Sequence, residues 1–134
     1  MLRRSTAEDA EQYRATMAAA GTDPRARLLA VVDRLGRTAS EPEFHGCRYL
    51  AADLALADPD HPGHAVTRDY RRVVHGLFAD EFGALGHARP EFAADQLLMV
   101  VDGLLAAGAT RPDSRAAAAS RELAEHIIDS GRGA

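Results

Sequence analysis

Two stretches decide how this chain reads. One is Phe92-Ala93-Ala94-Asp95-Gln96-Leu97-Leu98-Met99-Val100-Val101-Asp102-Gly103-Leu104-Leu105. The other, about fifty residues earlier, is Glu43-Phe44-His45-Gly46-Cys47-Arg48-Tyr49-Leu50-Ala51-Ala52-Asp53-Leu54. In the first, Leu97, Leu98, Val100, Val101, Leu104 and Leu105 make the helix apolar on nearly every side. That predicts a helix from Pro90 to about Ala107, the most buried in the molecule. In the second, Cys47, Leu50, Ala51 and Leu54 share one stripe, which predicts a helix from about Gly46 to Ala57. Neither stretch alternates as a strand would.

Working outward, four more helices follow from caps and breakers. Ser5 stands three residues ahead of Glu8 as a capping box, predicting a first helix from about Thr6 to Ala20 that ends at Gly21. Asp23 as N-cap and Pro24 at the first helical position open the second. Its apolar face is Leu28, Val31, Val32 and Leu35, and Gly36 is expected to close it. Asp58-Pro59-Asp60-His61-Pro62-Gly63 reads as a break. A long helix from about His64 to Leu85 carries Val66, Tyr70, Val73, Val74, Leu77, Phe78, Phe82 and Leu85 on one face. The last, about Asp113 to Asp129, presents Ala116, Ala119, Leu123 and Ile127, flanked by Ile128. The expectation is an all-α bundle of six helices, one domain over residues 1–134 with an ordered core of about 6–130.

Composition agrees. The 134 residues include 28 alanines, three tyrosines, four phenylalanines and no tryptophan, which favours helix over sheet. Hydrophobic residues make up 46% and charged residues 27%, a globular balance. No apolar run is read as long enough to cross a bilayer and no signal-peptide core opens the chain, so the expected location is cytoplasmic, with no membrane partner. All sixteen basic residues are arginine, which with the alanine excess suggests a G+C-rich bacterial genome. The formal charge is −4, without a basic block beyond Arg3-Arg4 and Arg71-Arg72. A surface that grips DNA normally shows a basic patch, so this chain is not expected to bind DNA alone. One cysteine, Cys47, excludes an internal disulfide and any multi-cysteine zinc site.

No enzymatic motif is present: no G-x-S-x-G elbow, no glycine-rich phosphate loop after a strand, no H-E-x-x-H. His61 and His64 flank a Pro-Gly turn beside Asp58 and Asp60, and His45 lies two residues from Cys47, but neither spacing is that of a helical metal pair. No catalytic residue, cofactor or metal is expected. Cys47 beside Gly46 reads as a small packing residue or, with no activating base in view, a redox sensor. His75 stands one step off the apolar stripe near Phe78 and Phe82. It is either a core-edge histidine bonded to water or a carbonyl, or a polar contact within a cavity. Tyr70 and Asp102 carry the same two readings.

In this order, after the Asp23-Pro24-Arg25 helix start, the two opening stretches resemble the C-terminal effector-binding and dimerisation domain of TetR-family transcriptional regulators. The resemblance spans roughly residues 20–130. It implies a ligand-sensing transcriptional regulator, not an enzyme, in which the Asp102-Gly103 step lets helices approach closely. By that resemblance the third, fourth and fifth helices enclose a mostly apolar cavity, with Tyr49, Leu50, Leu54, Tyr70, Val74, His75, Phe78, Leu98, Met99 and Asp102 on its walls. The effector is expected to be small and apolar or weakly polar, because few charges are in that set. The last two helices would pair with a second copy as a homodimer, through Leu104, Leu105, Ala116, Ala119, Leu123 and Ile127. Such regulators carry a helix-turn-helix in front of this region, and the start at Met1 is read as leaving no room for one. Two other readings stay open: a free-standing helical protein that dimerises with a full-length regulator, and a metal-dependent helical enzyme.

Overall fold

The computed structural model of the chain describes residues 2–46, 54–111 and 115–131, and side chains from residue 7 onward. These residues form five long helices and no strand: α1 (Leu2–Ala19), α2 (Pro24–Ala39), α3 (Pro62–Leu85), α4 (Pro90–Thr110) and α5 (Ala116–Ser130). The helix expected at 46–57 falls mostly on residues outside the described ones, Cys47, Tyr49 and Leu50 included. Leu54 and Ala55 are helical, and Gly46 is not.

Several boundaries differ from expectation, each for a local reason. α1 begins at Leu2, so Ser5 lies inside the helix and cannot cap it. α2 opens as its sequence dictates, with the Asp23 side chain accepting from the Ala26 amide at 3.3 Å and Pro24 in the first turn. It does not stop at Gly36. A β-carbon there would lie 3.1 Å from the Ala117 β-carbon, so this glycine is a packing position between α2 and α5. The Pro62-Gly63 pair starts α3 instead of breaking the chain, because the His61 ring accepts the Gly63 amide at 2.9 Å and caps the turn. α3 ends where Gly86 takes φ 80°, a left-handed turn that suits glycine. α4 runs on to Thr110, and α5 begins at Ala116.

α2 is the hub, packing against each of the other four helices. It contributes Leu28, Leu29, Val31 and Val32 to a core completed by Met17, Val74, Phe78, Phe82, Leu97, Leu104 and Ile128. Val73, placed on the inner stripe of α3 by its spacing, is 41% exposed. Ion pairs seam α2 to α5. Arg25 donates to both carboxylate oxygens of Asp129 at 3.2 and 3.3 Å, and Arg121 bridges Asp33 and Glu125. Hydrogen bonds to those carboxylates hold both guanidinium pKa values above the ordinary arginine range.

α4 corrects the reading of its hydropathy. It is long and apolar enough to cross a membrane by length and composition. It instead packs on α2, α3 and α5 with Ala93, Ala94, Leu97, Val101, Leu104, Leu105 and Ala107 buried. Gly108 brings it close to the end of α2, where a β-carbon would stand 2.5 Å from the Ala39 carbonyl oxygen. Its other face is partly open: Phe92, under the Arg89 guanidinium at 4.0 Å, is 46% exposed and Met99 74%. Gly103, expected at a close helix crossing, has no atom within 4 Å of its missing side chain.

Candidate functional site

α1 and α4 both pack against α3, and both against α2. Side chains of all four helices surround a cleft of about 370 Å³, within the range of ligand pockets. Its apolar lining comes from Tyr13 on α1, Leu35 on α2, Tyr70 and Val74 on α3, Leu98, Val101 and Leu105 on α4, and Phe44 beyond α2. Helical spacing explains the grouping. Tyr70 and Val74 are one turn apart, as are Leu98, Val101 or Asp102, and Leu105, so each set lies on one helix face.

The wall is more charged than the sequence suggested. Asp9, Gln12, Arg34, Thr38, Arg71 and Asp102 all line it. Arg71 Nη1 donates to Asp102 Oδ2 at 2.6 Å, joining α3 to α4, with both side chains about one-third exposed at 31% and 32%. Arg34 reaches across to α1, where it donates to Thr16 Oγ1 at 3.2 Å and to Gln12 Oε1. These bonds fix α1 against α2 and set the width of the cleft.

Of the residues expected on the cavity wall, the structure brings together Tyr70, Val74, Leu98 and Asp102. Tyr49 and Leu50 lie outside the described residues. The remaining four are elsewhere. Phe78 is fully buried one turn beyond Val74 and packs edge-on behind Tyr13, ring centroids 6.0 Å apart, so it backs the wall without reaching it. His75, one residue from Val74, is rotated about 100° away by the helical period. Its Nε2 lies 3.0 Å from Asp95 Oδ1 and 3.2 Å from the Glu91 carbonyl oxygen at the start of α4. Met99 points outward for the same reason relative to Leu98, and Leu54 is 77% exposed.

The expected dimer surface also divides. Leu104 is buried in the chain's own core, and Leu105 is buried on the cleft wall, so neither is available to a second copy. Ala116 and Ile127 are half-buried against the core. Ala119 is exposed and Leu123 is 52% exposed. Among the described residues no group of three or more His, Cys, Asp or Glu is placed to hold a metal.

Sequence reasoning missed the α1 and α2 walls. The signal was present, because Arg34 stands three residues after Val31 and Arg71 three before Val74. Each arginine thus occupies a core-facing position on an otherwise apolar stripe.

No protein-family model matches the chain, and no curated protein matches it. Solved structures do. A TetR-family transcriptional regulator from Streptomyces coelicolor superposes with a TM-score of 0.82 at 22% identity, over 97% of this chain and 70% of that one. A second structure, from Streptomyces avermitilis and assigned as a TetR transcriptional regulator, gives a TM-score of 0.75 at 30% identity, over 94% of this chain and 72% of that one. Identity at that level over most of both chains shows that this chain belongs to the TetR family of transcriptional regulators.

Proposed function

We propose that this chain is the effector-sensing and dimerising part of a bacterial, cytoplasmic TetR-type regulator. Regulators of this family act as dimers and bind small-molecule effectors. The observation that carries the reading is the cleft: four helices frame a largely apolar space of about 370 Å³ that no side chain of theirs fills. A small, mostly apolar molecule would bury its body against Tyr13, Leu35, Val74, Leu98 and Leu105. Because α1 is one wall, occupancy would bias its position relative to α2 and α3. The effector would thereby shift the population between two arrangements of whatever α1 carries. DNA is read by a helix-turn-helix outside this stretch, which is in keeping with the net charge of −4.

The second copy docks on the outward face of α4 and α5. Phe92, Met99 and Gly103 share that face of α4 by their spacing, and Ala119 and Leu123 are exposed apolar positions one turn apart on α5. α4 and α5 pack together, so the two stripes can form one continuous surface. A stable pairing should bury at least about 1,000 Å².

Thermal shift against a library of small apolar molecules tests the sensing role. A ligand at a hundred times its Kd stabilises the fold by about 2.7 kcal/mol. Val74→Trp, which extends a wall side chain from the core into the cleft, should abolish the shift, with circular dichroism checking that the variant still folds. A ligand that stabilises the Val74→Trp variant equally would place the sensor elsewhere.

A further inference from the structure

The charged side chains of the cleft are not equivalent. Four line it, two of each sign: Asp9, Arg34, Arg71 and Asp102. Asp102 is engaged by Arg71 at 2.6 Å, and Asp9 is not without a protein partner either. Arg34 differs from all three. Its hydrogen bonds go to a threonine hydroxyl and a glutamine carbonyl oxygen, both neutral, and among the described residues no carboxylate lies within ion-pair distance of it. Two bonds leave part of the guanidinium's fork of N–H donors unused. The side chain is half-buried, so water screens its charge less than at an open surface. Leu35 and Thr38, on the same face of α2, continue the wall from the arginine toward the apolar interior.

A half-buried cation with neutral partners at one end of an apolar cleft has an unmet electrostatic preference. An oxyanion meets it best, because a carboxylate can accept two parallel N–H bonds from one guanidinium. A cationic ligand would face the opposite situation, since neither carboxylate of the wall lacks a partner. We infer that the effector of this cleft is an amphipathic acid: an apolar body against Tyr13, Val74 and Leu98, and a carboxylate on Arg34. This rests on the cleft being the effector site, as proposed above, and adds the chemical class of the molecule that enters it.

Gln12 and Thr16 give the contact a consequence. They hold Arg34 to α1 through its two terminal nitrogens, at least one of which a bidentate carboxylate must also address. A bound acid that displaces either bond loosens α1 from α2 at the point where the helices are tied. Binding and α1 position are therefore linked through one guanidinium.

Octanoate and 4-phenylbutyrate test the inference, each titrated calorimetrically beside its primary amide and the amine of equal length. The acids should bind at least about tenfold more tightly than the amides, as a charge-assisted hydrogen bond to a half-buried partner implies. The amines should bind more weakly than the amides. In Arg34→Gln the acid-over-amide preference should vanish while amide binding persists, and Arg34→Lys should restore part of it. Val74→Trp should remove binding of all three classes. Amides or amines binding the wild type as tightly as the acids, with that binding lost in Val74→Trp, would overturn the inference and leave the cleft as the effector site. Binding of either acid that survives both Arg34→Gln and Val74→Trp overturns it as well, because the acid would then sit elsewhere. If no probe of any charge binds the wild type, the cleft reading itself falls and the acid with it.

Discussion

Both faces of α4 carry large apolar side chains, and those side chains have opposite fates. Inward, Ala93, Ala94, Leu97, Val101 and Leu104 are sealed against α2, α3 and α5. Outward, Phe92, Met99 and Gly103 stand in solvent, and nothing approaches the open side of the glycine. A hydropathy profile adds both faces together and sees one apolar cylinder. The helix teaches that apolar surface in excess of what one protomer covers points to a second function for it, for which the docking of another copy is proposed. The cleft lies between these extremes: Leu98 and Leu105 are on α4 too, each packed against the core on one side and bordering open space on the other.

The contrast can be broken most forcefully from the inside. Gly108→Val drives a branched side chain into the Ala39 backbone, which cannot rotate away as a side-chain tip would. Chemical denaturation should show a loss of about 3 kcal/mol or more, or no folded protein. Leu97→Ala leaves a cavity in the sealed face and should cost about 3 kcal/mol in the same assay. An effect below 1 kcal/mol on that scale at both positions would show that the inner face is not packed as described.

Smaller effects sharpen the picture at its edges. Gly131 lies flat on the His87 ring, which also packs edge-on to Phe82 and bonds the Ile127 carbonyl at 2.9 Å. The Arg89 amide donates to Nδ1 of that ring, so Nε2 carries the proton and donates to Ile127. His87→Ala should therefore loosen the end of α5 at a cost of about 1–2 kcal/mol. Hydrogen exchange should report it as faster exchange in residues 124–131 and little change in α1. A double-mutant cycle on Arg71 and Asp102 should give a coupling of about 0.5–1 kcal/mol, the range for a partly exposed pair. At a dilution where the wild type is monomeric, Met99→Ala should change unfolding by less than about 0.5 kcal/mol.

Much of this fold was legible because local signals were strong. Asp23-Pro24 fixed the start of α2, Pro90 the start of α4, and the stripe of Val74, Phe78 and Phe82 the buried side of α3. Where the reading failed, a residue with two uses had been given the commoner one. Gly36 reads as a stop but serves as a packing notch for Ala117. Pro62-Gly63 reads as a break but opens a helix once His61 caps it. The cleft was half legible. The resemblance places Tyr70, Val74, Leu98 and Asp102 on the wall, but neither it nor a helical wheel can tell a wall from the layer behind it. Phe78 belongs to that layer, and only the position of Tyr13 on α1 shows it. His75 and Met99 each sit one residue from a wall position, enough to turn them away. Arg71 enters the sequence reading only as half of an adjacent basic pair, and Arg34 is not singled out there at all.

The account depends most on the outward face of α4 and α5 being a docking surface for a second copy, separate from the core and the cleft. Sedimentation equilibrium at micromolar concentration tests this directly, on the wild type and on the double variant Met99→Glu, Leu123→Glu. Both side chains are exposed in the protomer, at 74% and 52%, so the substitutions leave its folding intact. In a symmetric pair each glutamate would be buried without a counter-charge, at a cost that exceeds what such an interface supplies. The predicted result is a dimer for the wild type and a monomer of unchanged helical content for the variant. A monomeric wild type, or a variant that remains dimeric, would contradict the account.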